Sequence, residues 1–341
     1  MNKKSVVNVV CILGAAIFLA CGTVSSVRAE TINLSFSVFF PPTHAHAVAS
    51  THMAEEIERR TDGKVKITVF PGGTLTKSSM CYDGVVQGIS DMCHSVFAYT
   101  RGRFPVMEVV DLPFGYPNGK VATRVAYEFY KQMNPEELQD VKVLAIHAHG
   151  PGILAAKKDV HSLDALKGMK IRCTGLSAKL AEYLGAAPVA MPQNDAYEAL
   201  QKGVVEGTFC PIETLKGWKQ GEVIDYVIES QALSYTTSMF IVMNKQKYES
   251  LPPDVKQVFD EVGEEWVEVY GKIWDDADDA GRDFITELGK NIHGLTPEEE
   301  AKWVQAIEPI ITEYQDTMET KGLPGREAVQ TIKNLLEKYS E

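Results

Sequence analysis

One stretch restricts the fold of this chain more than any other. After Pro252-Pro253, apolar residues recur every three or four positions, at Val255, Val258, Phe259, Val262, Trp266, Val269, Ile273, Ala277, Ala280, Phe284 and Leu288. Such a stripe describes one continuous helix, which from Asp254 to Lys290 would run about 55 Å at 1.5 Å per residue. That exceeds the width of a single lobe of a chain this size, so the helix has to lie along two. Thr296-Pro297-Glu298-Glu299 then opens a further C-terminal helix.

Upstream, the pattern is strand, helix, strand, and it occurs twice. Ile32 to Phe40 alternates apolar residues up to Pro41-Pro42. A helix follows with Val48, Met53 and Ile57 on one side, and Val65 to Phe70 is a second strand stopped by Pro71-Gly72-Gly73. A helix from about Thr76 to Gln87 and a strand from Ile89 to Ser95 extend this unit. The pattern restarts with a strand at Val141 to His147, a capped helix at Ser162 to Gly168 and a strand at Lys170 to Cys173. Helices at Ala178 to Leu184 and Ala196 to Gln201 follow, and Val204 to Phe209 closes the series. Strands separated by helices at this spacing form crossover units, hence α/β architecture with a largely parallel sheet.

The first thirty residues stand apart. Lys3 and Lys4 precede an apolar run from Val6 to Ala20 that is too short to span a bilayer comfortably, and Val27-Arg28-Ala29 places small residues before Glu30. This is the build of a secretory signal peptide, residues 1–29, which directs the mature chain outside the cytoplasm. Phe18-Leu19-Ala20-Cys21-Gly22 loosely resembles a lipoprotein cleavage box, with lipid anchoring at Cys21 as the minor alternative. No later run reaches the ~18 apolar residues of a membrane helix.

Removal of Lys3, Lys4 and Arg28 takes the formal charge from −12 to −15. With no basic cluster, that charge argues against nucleic acid and anionic lipid as partners, but not against an anionic small ligand held by one buried arginine. Four cysteines remain: Cys81, Cys93, Cys173 and Cys210. Outside the cytoplasm they allow one or two disulfides in three pairings, or serve as small apolar fillers.

Several ordered segments carry a resemblance. They are Val65 to Leu75 (VKITVFPGGTL), Gly168 to Cys173 (GMKIRC), Leu184 to Met191 (LGAAPVAM), Ala196 to Gly207 (AYEALQKGVVEG) and Tyr248 to Pro253 (YESLPP). The series resembles the extracytoplasmic solute-binding subunits of TRAP transporters, the DctP-type family. That resemblance implies a two-lobe periplasmic-binding-protein-like fold, each lobe a central mixed sheet flanked by helices, with a long helix spanning both. It places lobe I at 30–149 plus 238–277 and lobe II at 150–237 plus 278–341. Hinges fall near His149, at Tyr235 to Ser238 and inside the long helix. It further implies a monomer that closes around an organic acid and delivers it to the small and large TRAP membrane subunits, without a cofactor.

Arg172 is the first candidate for binding. In Lys170-Ile171-Arg172-Cys173 the side chains alternate, so Arg172 points away from Ile171 and Cys173 towards a cleft or a partner. Its planar fork matches a carboxylate or sulfonate with two parallel hydrogen bonds, and the resembling family places its ligand-anchoring arginine here. Elsewhere the chain departs from its relatives. Cys210, in Glu206-Gly207-Thr208-Phe209-Cys210-Pro211, stands where sialic-acid-binding members have an asparagine. Gly152 aligns with a second arginine found in many members, and Gln193 replaces an aromatic residue. One clear cation with a less polar floor favours a small or partly apolar monoanion. Phe39, Phe40, Ser95 and Tyr99 are expected to face the cleft from lobe I, with either Phe equally suited to the core. His149 is expected to donate to the ligand, and Glu213, near Phe209 and Cys210, to accept from it. Trp218 is read as packing beneath the pocket.

His44-Ala45-His46 and His147-Ala148-His149 have chelating spacing but no carboxylate at a diagnostic distance, so no metal is assigned. Two other functions compete: an ABC-type binding protein, and an exported enzyme acting on an organic acid. The long helix and the motif order oppose the first. Against the second, the chain has no Gly-x-Ser-x-Gly, His-Glu-x-x-His or phosphate loop, and Cys210 with His149 would be its only nucleophile pair.

Overall fold

The computed structural model describes residues 31–340; the leader read at 1–29 and the box around Cys21 lie outside them. The chain first lays down β1 (Ile32–Val38), β2 (Val65–Phe70), β3 (Met92–Val96) and β4 (Val141–Ala148). Beyond residue 150 it continues with β5 (Gly152–Ala156), β6 (Lys170–Cys173), β7 (Ala187–Ala190), β8 (Gly207–Pro211) and β9 (Tyr226–Glu229). It then returns with β10 (Ser238–Asn244), and β11 (Asn291–Gly294) follows the long helix. Two sheets result, ordered β2-β1-β3-β10-β4 and β11-β9-β5-β8-β6-β7.

Crossover connections make β1 parallel to β2 and β3, and β6 parallel to β7 and β8, as the alternating pattern requires. The sheets are nonetheless mixed. β10 runs antiparallel to both β3 and β4, and β5 antiparallel to β8 and β9. Both are strands entered as the chain passes from one sheet to the other, so each enters its sheet without a helical crossover.

The long helix runs from Pro253 to Glu287, 35 residues. It packs on the helix Ala45–Arg60, the helix Gly119–Met133 and β4 beside the first sheet, then on the turn Thr214–Gly217 and β11 beside the second. Its buried face begins as expected at Val255, Phe259 and Val262. It then rotates to Gly263, Val267, Tyr270, Gly271, Trp274, Gly281 and Ile285, leaving Val269 and Leu288 exposed. Glycines decide this. A Cβ at Gly263 would lie 2.4 Å from the Leu144 carbonyl oxygen, and one at Gly281 2.4 Å from that of Ile212. The face that carries the glycines is therefore the one that meets a strand on one lobe and the cleft edge on the other.

Two segments differ in extent from the sequence reading. The helix expected over 76–87 is a short turn, Ser78–Met80, followed by a helix at Cys81–Val86, and Gly88 in the left-handed region ends it. β3 consequently starts at Met92, with Ile89 exposed. Of the cysteine alternatives, Cys81 and Cys93 are joined and Cys173 and Cys210 are free and buried. The helix Gly119–Met133, capped by Asn118 Oδ1 on the Val121 N–H at 2.8 Å, was not read from the sequence. The last helix, Gly325–Tyr339, packs against it, so this end of the chain lies beside the first sheet and not the second.

Candidate ligand-binding cleft

Both sheets end their strands at a common gap. From the first come Phe39 and Phe40 just past β1, Val96 at the end of β3 and Tyr99 past it, and His149 past β4. From the second come Arg172 and Thr174 at β6 and Phe209 and Cys210 in β8, with Glu213 just beyond it. A gap outside strand ends is the usual ligand position of α/β folds. The cavity these residues enclose is small, about 40 Å³.

The gap is closed by direct contacts across it. The backbone N–H of Gln193 donates to the Tyr99 hydroxyl at 3.1 Å, and Asn194 Nδ2 donates to the Phe39 carbonyl at 3.2 Å. His44 Nε2 meets Glu213 Oε2 at 3.0 Å.

Arg172 is buried and held by two carbonyls. Its Nε–H donates to Met191 O at 3.1 Å and its Nη1 to Phe209 O at 3.3 Å, which fixes the plane of the fork and turns its remaining N–H groups towards Tyr99 and the cavity. It is the only Arg or Lys that lines the cleft among the described residues. The Gly152 position cannot hold a second. A Cβ there would lie 2.1 Å from the Tyr235 ring, which is itself part of the cavity wall. Burial also leaves the Gln193 side-chain nitrogen without a hydrogen-bond partner among the described residues, so a donor stands ready on the wall.

The remaining wall is aromatic. Phe39 lies 5.9 Å from Trp218 at 25° and 5.6 Å from Tyr99 edge-on. Trp218 thus lines the cavity and does not pack beneath it. Phe39 and Phe40 are at once core residues and cavity wall. Ser95 is a correction: its hydroxyl donates to Ser78 O at 2.8 Å, away from the cleft, and its neighbour Val96 lines the wall in its place. Strand alternation is the reason, since a one-residue change in the assumed phase reverses every side chain.

His149 does not act as expected either. Its Nδ1 proton goes to the Gly150 carbonyl, and burial, with the Arg172 charge adding to it, pushes the ring down to about 4. The neutral ring offers the cleft an acceptor through Nε2. Burial likewise pushes the Cys210 thiol up to about 12. A thiol raised and an imidazole lowered are the reverse of what an activated thiolate–imidazolium pair requires.

Behind Phe40 lies a group of buried rings: His44, His46, His94, His147, Tyr270 and Trp274. The bonding pattern fixes the protons of His147 and His94. Trp274 Nε1–H donates to His147 Nδ1 at 3.0 Å, so His147 carries its proton on Nε2 and donates to His94 Nε2 at 2.7 Å. His94 Nδ1–H then donates to Ser50 Oγ at 2.9 Å, and Ser50 donates onward to the His46 carbonyl. Every ring in this chain of bonds is neutral, so together they form a rigid support for the cleft wall.

Two α/β lobes closing over one buried guanidinium define a solute-binding protein. The chain belongs to the family described as bacterial extracellular solute-binding protein, family 7 (DctP), which it matches over residues 36–317. It is similar to a TRAP solute-binding protein from a marine metagenome, specific for aromatic acid ligands and solved with 3-hydroxybenzoate. The two share 31% identity with a TM-score of 0.86, over 91% of this chain and 99% of that one. A TRAP solute-binding protein from Rhodoferax ferrireducens, with copurified benzoate, is 29% identical at a TM-score of 0.85, over 91% and 99% of the two chains. The C4-dicarboxylate-binding periplasmic protein DctP of Rhodobacter capsulatus is 26% identical over 89% of this chain and 91% of its own. This family supplies substrate-binding components of transport, and the relatives from Rhodobacter capsulatus and Escherichia coli are named as periplasmic proteins. No described helix is long and apolar enough to cross a membrane.

Proposed function

We propose that the protein, exported by its leader and working as a monomer in the periplasm, captures a small aromatic monocarboxylate and passes it to the small and large membrane subunits of a TRAP transporter. The observation that carries this reading is one fixed guanidinium in a cleft whose other walls are mainly rings. Arg172 pairs with the carboxylate through its free N–H groups. Phe39, Tyr99, Phe209 and Trp218 cover the apolar body, and Gln193 serves a ring substituent or the second carboxylate oxygen. The benzoate and 3-hydroxybenzoate of two similar proteins support the class.

A C4-dicarboxylate, the ligand named for the Rhodobacter relative, is the second reading. It requires a partner for a second carboxylate, and the Tyr235 ring fills the space beside Gly152 where one would stand. On this reading the chain binds and hands over its ligand without transforming it, and Cys210 is a wall residue.

A thermal-shift screen of purified protein against benzoate, 3-hydroxybenzoate, mandelate, succinate and malate tests the proposal, with Arg172→Ala in parallel. A ligand at 100 times its dissociation constant adds about 2.7 kcal/mol. Aromatic monoacids are expected to raise the wild-type midpoint, and to leave that of Arg172→Ala unmoved. A shift with succinate or malate alone overturns the ligand class. Binding by Arg172→Ala within threefold of wild type overturns the anchor.

A further inference from the structure

Away from the cleft, Asp159, His161 and His293 converge. Asp159 and His161 lie in the loop after β5, and His293 lies in the edge strand β11, 134 residues from Asp159. The loop reaches past β9 to the sheet edge, so that Asp159 Oδ1 is 2.8 Å from His293 Nε2 and Asp159 Oδ2 is 2.8 Å from His161 Nε2. The two imidazoles lie 4.6 Å apart, centroid to centroid, at 29°. All three ligand atoms fall within 4.8 Å of one another, the only such group of three among the described residues.

The hydrogen bonds at His293 aim one ring nitrogen at Asp159. Its Nδ1 lies 3.0 Å from the Gly294 carbonyl. A carbonyl only accepts, so Nδ1 carries the proton. In the neutral ring Nε2 then presents a lone pair to Asp159 Oδ1, and two acceptors face each other at 2.8 Å. A metal ion seated beside the pair would take both acceptors as ligands. A backbone carbonyl on the far nitrogen is also the usual outer support of a metal-bound histidine, because it fixes the tautomer and aims the free nitrogen.

We infer that Asp159, His161 and His293 form a divalent transition-metal site of the zinc class. Two imidazoles and one carboxylate suit zinc, with bonds of about 2.0–2.2 Å and a fourth position open to water. Binding displaces the proton that His161 otherwise shares with Asp159. The ion would tie the loop after β5 to β11, the unpaired edge of the second sheet. His161 is largely exposed and Asp159 partly so, so the ion can enter without any movement of the lobes. None of the three lines the cleft, so the site is independent of the organic acid.

The test is calorimetric titration of zinc chloride into chelator-treated protein purified without a polyhistidine tag. Wild type is compared with His293→Ala, His293→Gln and the double variant His161→Ala/His293→Ala. Wild type is expected to take one equivalent with release of protons, and each variant to bind at least tenfold more weakly. Thermal melting without metal checks that the variants fold, and cobalt chloride in place of zinc should give a visible absorption band in wild type alone. Zinc binding to wild type no tighter than to the folded double variant overturns the site.

Discussion

His44 and Glu213 stand 169 residues apart in the chain and meet across the cleft, Nε2 to Oε2 at 3.0 Å, with both side chains almost wholly buried. His44 also caps the helix Ala45–Arg60, its Nδ1 accepting from the His46 N–H, so it is the Nε2 proton that reaches Glu213. The second carboxylate oxygen accepts from Thr214 at 3.0 Å. One imidazole therefore ends a helix of the first lobe and fastens it to the second. A buried hydrogen bond to a charged group contributes about 1.5–3 kcal/mol. His44→Ala is expected to weaken ligand binding roughly tenfold or more by favouring the open form. Small-angle scattering should show a larger radius of gyration for this variant with ligand present. Unchanged affinity and unchanged radius would remove the latch.

Arg172→Lys should fail as a conservative exchange. The lysine retains charge but loses the paired geometry, and it withdraws the donors now given to Met191 O and Phe209 O. Affinity measured by calorimetry is expected to fall by about 30-fold or more, from the loss of about 2 kcal/mol typical of a bidentate charged pair. A lysine variant within threefold of wild type would mean that charge alone holds the ligand.

Acid should destabilise the closed protein early. Burial is the main cause that lowers His46, His94, His147 and His149, the last two to about 3 and about 4. An unfolded histidine titrates near 6.5. Between that pH and the folded values the unfolded chain binds protons that the folded chain refuses, so the stabilisation is full above about 6.5 and declines as pH falls towards 4 and 3. His149 alone accounts for about 3 kcal/mol over that interval. Urea midpoints measured from pH 7 to pH 4 should drop steeply. His46→Phe should flatten the fall, and it should not destabilise at pH 7, because neither ring nitrogen of His46 has a hydrogen-bond partner among the described residues. A flat profile in wild type would place these rings in contact with water.

Gly263→Ala should reverse the ordinary helix preference. In an open helix the exchange stabilises by about 1 kcal/mol. Here the new Cβ would sit 2.4 Å from the backbone carbonyl of Leu144, in the strand β4 on which the helix packs. Net destabilisation of about 2 kcal/mol is expected in chemical denaturation. An alanine variant as stable as wild type would show that the long helix can slide on β4.

Much of this protein was legible before folding. The period of the long helix, the strand-helix grammar and the ordered segments from Val65 to Pro253 rest on local repetition. Local repetition survives in sequence because each element must bury one face. Arg172 was legible for the same reason, since a charged residue between two core residues of a four-residue strand has only one side to go to. Where a property depends on phase or on partners far along the chain, the sequence was silent or misleading. Ser95 and Val96 differ only in which face of β3 they take, and that follows from where the strand starts. The rotation of the long helix face depended on what Gly263 and Gly281 would touch.

Tertiary structure alone brought His44 to Glu213 and Tyr235 to the space beside Gly152, and it decided which cysteines are joined. It also set the proton positions through His147, His94 and Ser50, since a tautomer is chosen by whichever neighbour donates first. The sequence by itself determined the α/β class and the side of its strand that Arg172 takes, because both follow from periodicity along one chain. The closure of the cleft arises from contacts between residues 94 to 169 positions apart in the chain, and no local pattern encodes them.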